Sequence, residues 1–472
     1  QVLDTTIANV ALPHMQGSLS ASTDQITWVL TSYIVAAAIM TPTVGFMASR
    51  LGRRRLFLWS VAGFTVTSGL CGLSASLDQM VLFRILQGVF GAALVPLSQS
   101  VLLDAYPVEK HGQAMAIWGM GVMVGPILGP TLGGWLTEWY SWRWVFYINL
   151  PFGLLAFAGI WLSVSETETR KVRFDIMGFA YLGLAIGAFQ LMLDRGEQVQ
   201  WFESFEIQLE AVLALLGLYL FVVHSLTRKD PFIDPALFKD RNFVTGLVFI
   251  FVVGIILLAT MALLPPFLQQ WKDYPAVTTG LVLAPRGLGS MFSMMLVGRL
   301  MRTRLDPRVL VITGLLFITF SLHEMAGFTL EVSRNTLIWT GVLQGLGLGL
   351  VFVPASALTY ATLNPSLRTE GASLFSLSRN LGSSVGISIM TAMLSRNLWI
   401  NQQQLGEHLQ LAPWLSQGLP MKEMVGSVPA AVYQTLLSQA AEISYMNDFR
   451  LLMWINMAAI PLVFLLRHQR RA

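Results

Sequence analysis

Apolar stretches of about 20 residues recur along the whole of this 472-residue chain, and each is long enough to cross a hydrocarbon core about 30 Å thick. Only 12% of the residues are charged, about half the fraction that is typical of soluble domains. Backbone that crosses lipid must satisfy its own hydrogen bonds, so these stretches predict transmembrane helices. We count fourteen, at about 1–13, 25–46, 56–76, 79–100, 112–136, 143–164, 176–193, 207–226, 243–268, 279–300, 309–327, 335–358, 370–394 and 448–466.

The first stretch is shorter than the others, and the chain begins at Gln1 with neither an initiator Met nor a polar leader. We therefore expect the first helix to be truncated and an N-terminal piece to precede it. The opening lacks the charged start and the small-residue cleavage site of a signal peptide.

The basic residues indicate how the chain is oriented. If both termini lie on the same side of the membrane, twenty of the thirty Lys and Arg residues lie on that side. Seven lie on the opposite side, and three lie within helices. The positive-inside rule then places both termini in the cytoplasm and favours an even number of helices. The net charge of +4 reflects this bias and gives no argument for a nucleic-acid partner.

Several kinds of chemistry have no support in the sequence. There is one cysteine, and the six histidines are scattered, so we predict no disulfide, no metal site and no cofactor. We find no intramembrane nucleophile and base for an enzyme, and no soluble signalling domain for a receptor. The glycines at 345, 347 and 349 lie inside an apolar stretch without a preceding strand, so they do not predict a nucleotide loop. Energy for transport must then come from an ion gradient.

The chain repeats itself. The fourth stretch, LFRILQGVFGAALVP, matches the twelfth, IWTGVLQGLGLGLVFVP, at an offset of 257 residues. Six helices occupy only about 165 residues, so this offset leaves room for two extra helices between the halves, and internal repeats are typical of secondary transporters. We predict an all-α membrane protein with six-helix bundles at 1–165 and 231–472, two inserted helices at 166–230, and a long external loop at about 396–447.

Two charges stand inside apolar stretches. Asp4 is the only ionisable residue of the first stretch, and Arg84 lies in the fourth, where the repeat has Gly341 instead. An intramembrane charge costs about 2.5–3.5 kcal/mol on insertion scales and usually has a function. The two charges indicate proton-coupled transport, with Arg84 holding a nearby carboxylate in its charged form until a proton or a substrate intervenes. The alternatives are a structural acceptor at a helix end for Asp4 and snorkelling for Arg84.

The loop after the second stretch reads GFMASRLGRRR, at 45–55. It resembles the loop signature of the major facilitator superfamily, G-x-L-A-D-R-x-G-R-R-R. The resemblance implies a gating loop that latches the two halves in the outward-open state, formed by Gly45, Arg50, Gly52 and Arg53. Ser49 stands where the signature has Asp, which weakens the case for a latch built on that carboxylate. The alternative is a basic loop that only obeys the positive-inside rule.

The fifth stretch contains a glycine-rich string that matches the antiporter motif of the same superfamily, which is associated with exporters. Its residues are Gly125, Gly129, Pro130, Gly133 and Gly134. Glycines let helices pack closely, and prolines remove backbone hydrogen bonds and kink a helix. We expect the motif to lie at the seal between the two halves; the alternative is ordinary close packing.

Three further segments resemble the fourteen-helix drug:proton antiporter branch of the superfamily: LDTTIANVALP (3–13), WRWVFYINLPFG (142–153) and LMLDRG…WF (191–202). The resemblance covers essentially the whole chain. It implies the major facilitator fold, with Asp4 as the proton-coupling residue and Arg84 associated with proton transfer. It also implies export of hydrophobic or amphipathic drugs in exchange for protons and, in Gram-negative relatives, a periplasmic adaptor and an outer-membrane channel. An exporter of one metabolite, such as a siderophore or a fatty acid, is the alternative.

Five polar residues within the helices are candidates for binding a substrate: Asn9, Gln87, Arg286, Gln344 and Arg379. Arg286 and Arg379 would either bind an anionic group or satisfy the carbonyls of a broken helix. The sequence leaves both interpretations open.

Overall fold

The computed structural model describes residues 1–107, 110–169, 174–228, 231–302, 305–407 and 430–466. These residues are almost entirely helical, and no strand occurs among them. The principal helices are α1 (Val2–Ser18), α2 (Trp28–Met40), α3 (Thr43–Leu51), α4 (Arg53–Leu73), α5 (Leu77–Gly91), α6 (Leu94–Ala105), α7 (His111–Trp139), α8 (Asn149–Ser163), α9 (Ile176–Arg195), α10 (Phe205–Thr227), α11 (Arg241–Pro266), α12 (Ala276–Leu300), α13 (Pro307–Met325), α14 (Arg334–Tyr360), α15 (Arg368–Glu407) and α16 (Ala430–Ala459). Short helical turns cover Thr23–Ile26, Trp144–Tyr147, Trp201–Glu203, Ala236–Lys239, Phe267–Trp271, Pro365–Leu367 and Ile460–Leu465.

The predicted all-α membrane architecture is confirmed. Within the described ranges, eleven helical segments are long and apolar enough to cross a membrane, and twelve if α2 and α3 form one span bent by 60°. The bend falls at Pro42, whose missing N–H interrupts the helical hydrogen bonds. The two remaining predicted stretches correspond to α1, with 17 residues, and to the more polar α15. The count of fourteen spans stays a prediction.

The helices form two similar halves. In the first half α1 packs on α7 and α2 packs on α5, and in the second half α11 packs on α15 and α12 packs on α14. The similarity of the two halves extends to individual contacts between helices. A Cβ at Gly88 would lie 2.5 Å from the backbone oxygen of Tyr33, and a Cβ at Gly345 would overlap the backbone oxygen of Arg286. Corresponding helices therefore approach each other at corresponding glycines.

The inserted helices α9 and α10 pack on each other. Most of α10 is exposed, as expected of a helix that faces lipid. α9 also contacts α2 of the first half and α15 of the second. The insertion is therefore attached to both halves.

The predicted loop at 396–447 is largely helical where the structure describes it. α15 continues through Glu407 and α16 begins at Ala430; residues 408–429 lie outside the described ranges. With 40 residues and a rise of 1.5 Å per residue, α15 is about 60 Å long. It therefore extends far beyond a hydrocarbon core of about 30 Å.

The halves meet along α7, which runs beside α12 and also contacts α14. They also meet where α3 and α6 contact α15. We call the end of the bundle that carries Arg50–Arg55 the arginine end, and the other the far end.

Candidate proton-coupling site

The carboxylate of Asp4 meets the guanidinium of Arg84 in the interior of the first half. Arg84 Nη1 donates to Asp4 Oδ2 at 2.7 Å, and both side chains are fully buried. Arg84 Nε donates to the backbone oxygen of Val29 at 2.9 Å. Because Arg84 turns inward to a carboxylate, the snorkelling interpretation is wrong.

Two amide side chains complete the hydrogen bonding of the carboxylate. Gln87 Nε2 donates to Asp4 Oδ1 at 3.1 Å, and Asn149 Nδ2 donates to the same oxygen at 2.7 Å. Gln87 also accepts from Arg84 Nη1 at 2.7 Å, as a residue three positions away on the same helix face can. Hydrogen bonds to the charged form stabilise a buried carboxylate. We call Asp4, Arg84, Gln87, Asn149 and Tyr33 the Asp4 cluster.

Asn149 was not among the residues assigned a role from the sequence. It is the first residue of α8, within the segment WRWVFYINLPFG that carries the family resemblance. A third helix thereby reaches Asp4. Asn149 Nδ2 is also 3.0 Å from Ser68 Oγ on α4. The only sequence signal was a polar residue at the start of an apolar helix, which is common at helix ends.

Tyr33 covers the guanidinium from the side of α2. Arg84 Cζ lies 4.3 Å from the centre of the Tyr33 ring, a distance at which the cation and the ring attract each other. Gly91 makes room for this tyrosine, because a Cβ there would lie 2.8 Å from Tyr33 Oη. Four helices and the start of α8 thus enclose one ion pair.

The antiporter-motif glycines pack against α1, and this corrects the expectation that they lie at the seal between the halves. A Cβ at Gly125 would lie 2.8 Å from the Leu3 backbone nitrogen, and one at Gly129 would overlap the Thr6 side chain. Thr6 Oγ1 donates to the Gly125 backbone oxygen at 3.2 Å. The four-residue spacing places these glycines on one helix face, and that face holds the helix that carries Asp4.

The other motif residues differ in their surroundings. A Cβ at Gly133 would lie 3.2 Å from the backbone oxygen of Ile7, whereas one at Gly134 would meet nothing within 4 Å. Pro130 lies within α7, but its side chain is outside what the structure describes. In the second half, Cβ atoms at Gly382 and Gly386 would meet backbone oxygens of α11. Each glycine face therefore packs on the first helix of its own half.

The gating loop joins the two halves at the arginine end, through a carboxylate the loop motif does not contain. Asp104, near the end of α6, pairs with Arg53 and accepts from Arg368 Nη1 of the second half at 2.8 Å. Ser49 Oγ instead donates to Gly45 O of its own helix at 2.9 Å. Arg50 is exposed and forms no ion pair with the described residues.

The two loop glycines permit close contacts. Gly52 has a φ of +87°, which L-residues rarely adopt, and a Cβ there would overlap Glu166. Glu166 Oε1 accepts from the backbone N–H of Arg54 at 3.1 Å. A Cβ at Gly45 would lie 2.8 Å from the Glu370 backbone on α15. Close backbone approach therefore accompanies the ion pairs at the arginine end.

The second half contains a counterpart of the Asp4 cluster without its acid. Gln344, which aligns with Gln87, donates to Thr260 Oγ1 at 3.3 Å, so a hydroxyl replaces the carboxylate. Gln344 Oε1 is buried and has no hydrogen-bond partner among the described residues. Arg286 packs beside Gly341, the residue that aligns with Arg84.

The remaining substrate candidates have few partners. Arg286 Nη2 donates to the backbone oxygen of Leu257, which lies within the continuous helix α11, at 3.3 Å. The Arg379 guanidinium donates from Nη2 to the side-chain oxygen of the neighbouring Asn380 at 3.4 Å. Neither arginine pairs with a carboxylate of the described residues. Asn9 is exposed on α1 and takes no part in these contacts.

Two repeated helical halves, of which the first encloses a buried ion pair, are typical of membrane transporters built from internal repeats. A model of the Major Facilitator Superfamily matches residues 1–387. The chain belongs to the major facilitator superfamily.

Named relatives are exporters and resistance proteins. The chain is 38% identical to the fatty acid resistance protein FarB of Neisseria gonorrhoeae over 411 residues, 87% of this chain and 81% of FarB. It is also 38% identical to the multidrug export protein EmrB of Escherichia coli K12 over 415 residues, 87% of this chain and 80% of EmrB. The solved proton:xylose symporter XylE has a TM-score of 0.61 at 13% identity, covering 98% of this chain and 93% of XylE. At that identity the likeness concerns the fold alone.

Proposed function

We propose that this protein is a proton-coupled antiporter that exports hydrophobic or amphipathic drugs across the bacterial cytoplasmic membrane. The observation that carries the proposal is the fully buried pair of Asp4 and Arg84. The printed name of EmrB, multidrug export protein, supports drugs as the substrate class.

The geometry supports a simple coupling step. In the charged form, Asp4 accepts from Arg84, Gln87 and Asn149, which lie on two different helices. A proton arriving at the carboxylate removes its charge and one acceptor position, so the attraction to Arg84 weakens and the three donors share fewer acceptor positions. Contacts among α1, α5 and α8 then weaken together, which links proton binding to helix rearrangement.

The arginine end is proposed to face the cytoplasm, with both termini on that side. The positive-inside rule supports this orientation. The ion pairs of Asp104 with Arg53 and Arg368 would then close the cytoplasmic side and leave the far end for release of the drug.

A test of proton exchange uses the purified protein in liposomes that contain a pH-sensitive dye. Addition of a drug gradient should drive protons in the opposite direction, and a protonophore should abolish accumulation against a gradient. Liposomes that contain the Asp4→Asn variant serve as the matched control. Drug movement without any proton movement would contradict antiport.

The long hairpin of α15 and α16 is proposed to contact a periplasmic adaptor, which would join an outer-membrane channel. The two helices are linked beyond the expected membrane core: Asn401 Nδ2 lies 3.0 Å from Ser444 Oγ and Gln402 Nε2 lies 3.3 Å from Tyr433 Oη. Co-purification with an adaptor encoded by an adjacent reading frame tests this, with a chain shortened within 396–447 as the control. Equal capture by the shortened chain would contradict the assignment.

A dedicated exporter of one anionic metabolite, such as a fatty acid, is the second candidate. Arg286 and Arg379 have no carboxylate partner among the described residues, so each has a positive charge available for an anionic group. The printed name of FarB, fatty acid resistance protein, supports this candidate.

Binding measurements on the purified protein separate the two candidates. If a fatty acid is the dedicated substrate, Arg286→Gln and Arg379→Gln should weaken its binding about tenfold, the cost of a lost charge-assisted hydrogen bond, and neutral drugs should not bind. Tight binding of neutral drugs, unchanged in both variants, would favour the multidrug exporter.

A further inference from the structure

A carboxylate on an inserted helix takes no part in the Asp4 cluster. Asp194 lies in the last turn of α9, within the segment LMLDRG that carries part of the family resemblance. Its Oδ1 accepts from Gln190 Nε2 at 3.0 Å, whereas Oδ2 is buried and has no hydrogen-bond partner among the described residues. A buried carboxylate oxygen without a donor costs free energy while it is charged, and protonation removes that cost.

The surroundings of Asp194 connect the second half to the inserted helix. Gln190 is almost fully buried, and its Nε2 also lies 2.8 Å from Ser384 Oγ on α15. Ser388 Oγ donates to the backbone oxygen of Leu193 at 2.9 Å. The last two turns of α9 are therefore hydrogen-bonded to α15.

The same part of α9 faces the first half on its other side. The Thr31 side chain of α2 lies beside the Asp194 carboxyl group. A Cβ at Gly187 would lie 3.0 Å from Ile39 of α2, so the two helices are closely packed. Thr31, Asp194, Gln190 and Ser384 thus form a polar path from one half to the other.

Among the residues that the structure describes, no cation pairs with Asp194, in contrast to Asp4. On α9, the neighbouring Arg195 pairs with Glu206 of α10 at 2.5 Å and lies over the Trp28 ring. α10 otherwise contributes Glu210 at this end, a further acid. α2 has no charged residue, and residues 384–388 of α15 have none.

We propose that Asp194 is a second proton-binding group of the transport cycle, which holds a proton while α9 bridges the two halves and releases it to water when they separate at the far end. The protonated Oδ2 can donate to the Thr31 hydroxyl, whereas the ionised form can only accept from that hydroxyl. One proton moves between the carboxyl group and water, and no other bond changes. This inference rests on the proposed proton-coupled function and extends it to the inserted helices.

Distance measurements between spin labels test the proposal in the full chain. Labels are placed at the far end on Ala75→Cys of the first half and Asn335→Cys of the second, both exposed positions; the native Cys71 is fully buried. The protein is reconstituted in lipid nanodiscs and measured from acid to alkaline pH. We expect the balance between near and far label distances to change with pH in the wild type and also in Asp4→Asn.

Part of the pH-dependent change in label distances should remain in Asp4→Asn. That part should be absent from Asp194→Asn, because asparagine mimics the neutral acid. Glu203→Gln, an exposed acid just beyond α9, is the control and should titrate like the wild type. Asp194→Glu should keep the transition with a shifted midpoint, so it carries the test if the asparagine variant does not fold. A wild-type transition in both Asp194 variants, or its complete loss in Asp4→Asn, would overturn the proposal. Failure of the proposed proton exchange is recognised separately, by drug movement without proton movement in liposomes that contain the wild-type protein.

Discussion

Asp4 and Arg84 are 80 positions apart in the chain and 2.7 Å apart in the fold, with neither side chain accessible to solvent. Removing one partner of a buried ion pair leaves an uncompensated charge and typically costs about 3–5 kcal/mol. The other carboxylate oxygen of Asp4, Oδ1, accepts from the amide of Gln87 on α5 and from the amide of Asn149 on α8. The pair therefore links three helices to one ionisable group.

Arg84→Lys should fail nearly as badly as Arg84→Ala, with transport below about a tenth of the wild type. A lysine keeps the charge, but it lacks the planar fork that donates to Asp4 and to the Val29 carbonyl together. Gradient-driven drug uptake, normalised to the folded protein, measures the effect, with exposed Arg396→Lys as the control. Full activity in Arg84→Lys would mean that positive charge alone suffices.

Gly129→Leu should uncouple the transporter, because the new side chain overlaps Thr6 and displaces α1 together with Asp4. We expect substrate affinity in detergent to stay within about twofold, since ligand contacts are not touched, while gradient-driven accumulation falls at least about tenfold, a change of 1.4 kcal/mol or more.

Gly134→Leu is the matched control in the same motif, since a Cβ there meets nothing within 4 Å. Gly129→Ala should show a weaker form of the defect, and Thr6→Gly in the same chain should relieve it. If Gly129→Leu loses binding and transport in equal proportion, the motif belongs to the substrate site.

These sites show what the sequence could and could not predict. Asp4 and Arg84 were predictable because a charge in lipid is costly and therefore conspicuous. Asn149 was not predictable, because an amide at the start of a helix costs little free energy and therefore does not stand out in the sequence. The glycine pattern predicted a close helix contact but could not identify the partner, which is α1 and not the other half. Asp104 lies 51 positions from Arg53 and 264 from Arg368, and only the fold brings the three together.

Asp104→Asn should loosen the arginine end, since one carboxylate serves Arg53 and Arg368. Partly exposed ion pairs contribute about 0–1 kcal/mol each, so loss of both pairs should raise the unlatched population by up to about thirtyfold. Cysteine labelling at the arginine end in inverted membrane vesicles measures this. Glu168→Gln, an exposed acid at the same end, is the control. Labelling as slow as in the wild type would assign the latch to backbone packing at Gly45 and Gly52.

Asp175 joins the two inserted helices and should make their stability depend on pH. Burial raises the pKa of Asp175, but the Gly178 N–H, the His224 ring and the Arg228 guanidinium outweigh it and lower the pKa below its ordinary value of 3.8. His224 Nε2 lies 3.0 Å from Asp175 Oδ1. Because the folded-state pKa is lowered, the carboxylate stabilises the fold above about pH 3.8, and this contribution is lost as pH falls through the lowered value.

Asp175→Asn can still cap α9 but loses the charge, so its thermal unfolding midpoint should drop by about 1 °C at pH 5 and at pH 8, for a loss of about 1 kcal/mol. The deficit should shrink as pH falls below 3.8 and disappear below the lowered pKa of Asp175. A deficit of the same size at pH 3 would show that the carboxylate charge is not its cause.

The central claim is that Asp4 is the group through which protons drive transport. In inverted membrane vesicles, a gradient of two pH units can sustain an accumulation ratio of up to about 100 for each proton exchanged, because each unit is a tenfold ratio worth about 1.4 kcal/mol. For Asp4→Asn we predict a protein that inserts and binds drug, with an accumulation ratio of about 1 under the same gradient. Accumulation by Asp4→Asn equal to that of the wild type would place proton coupling elsewhere in the molecule.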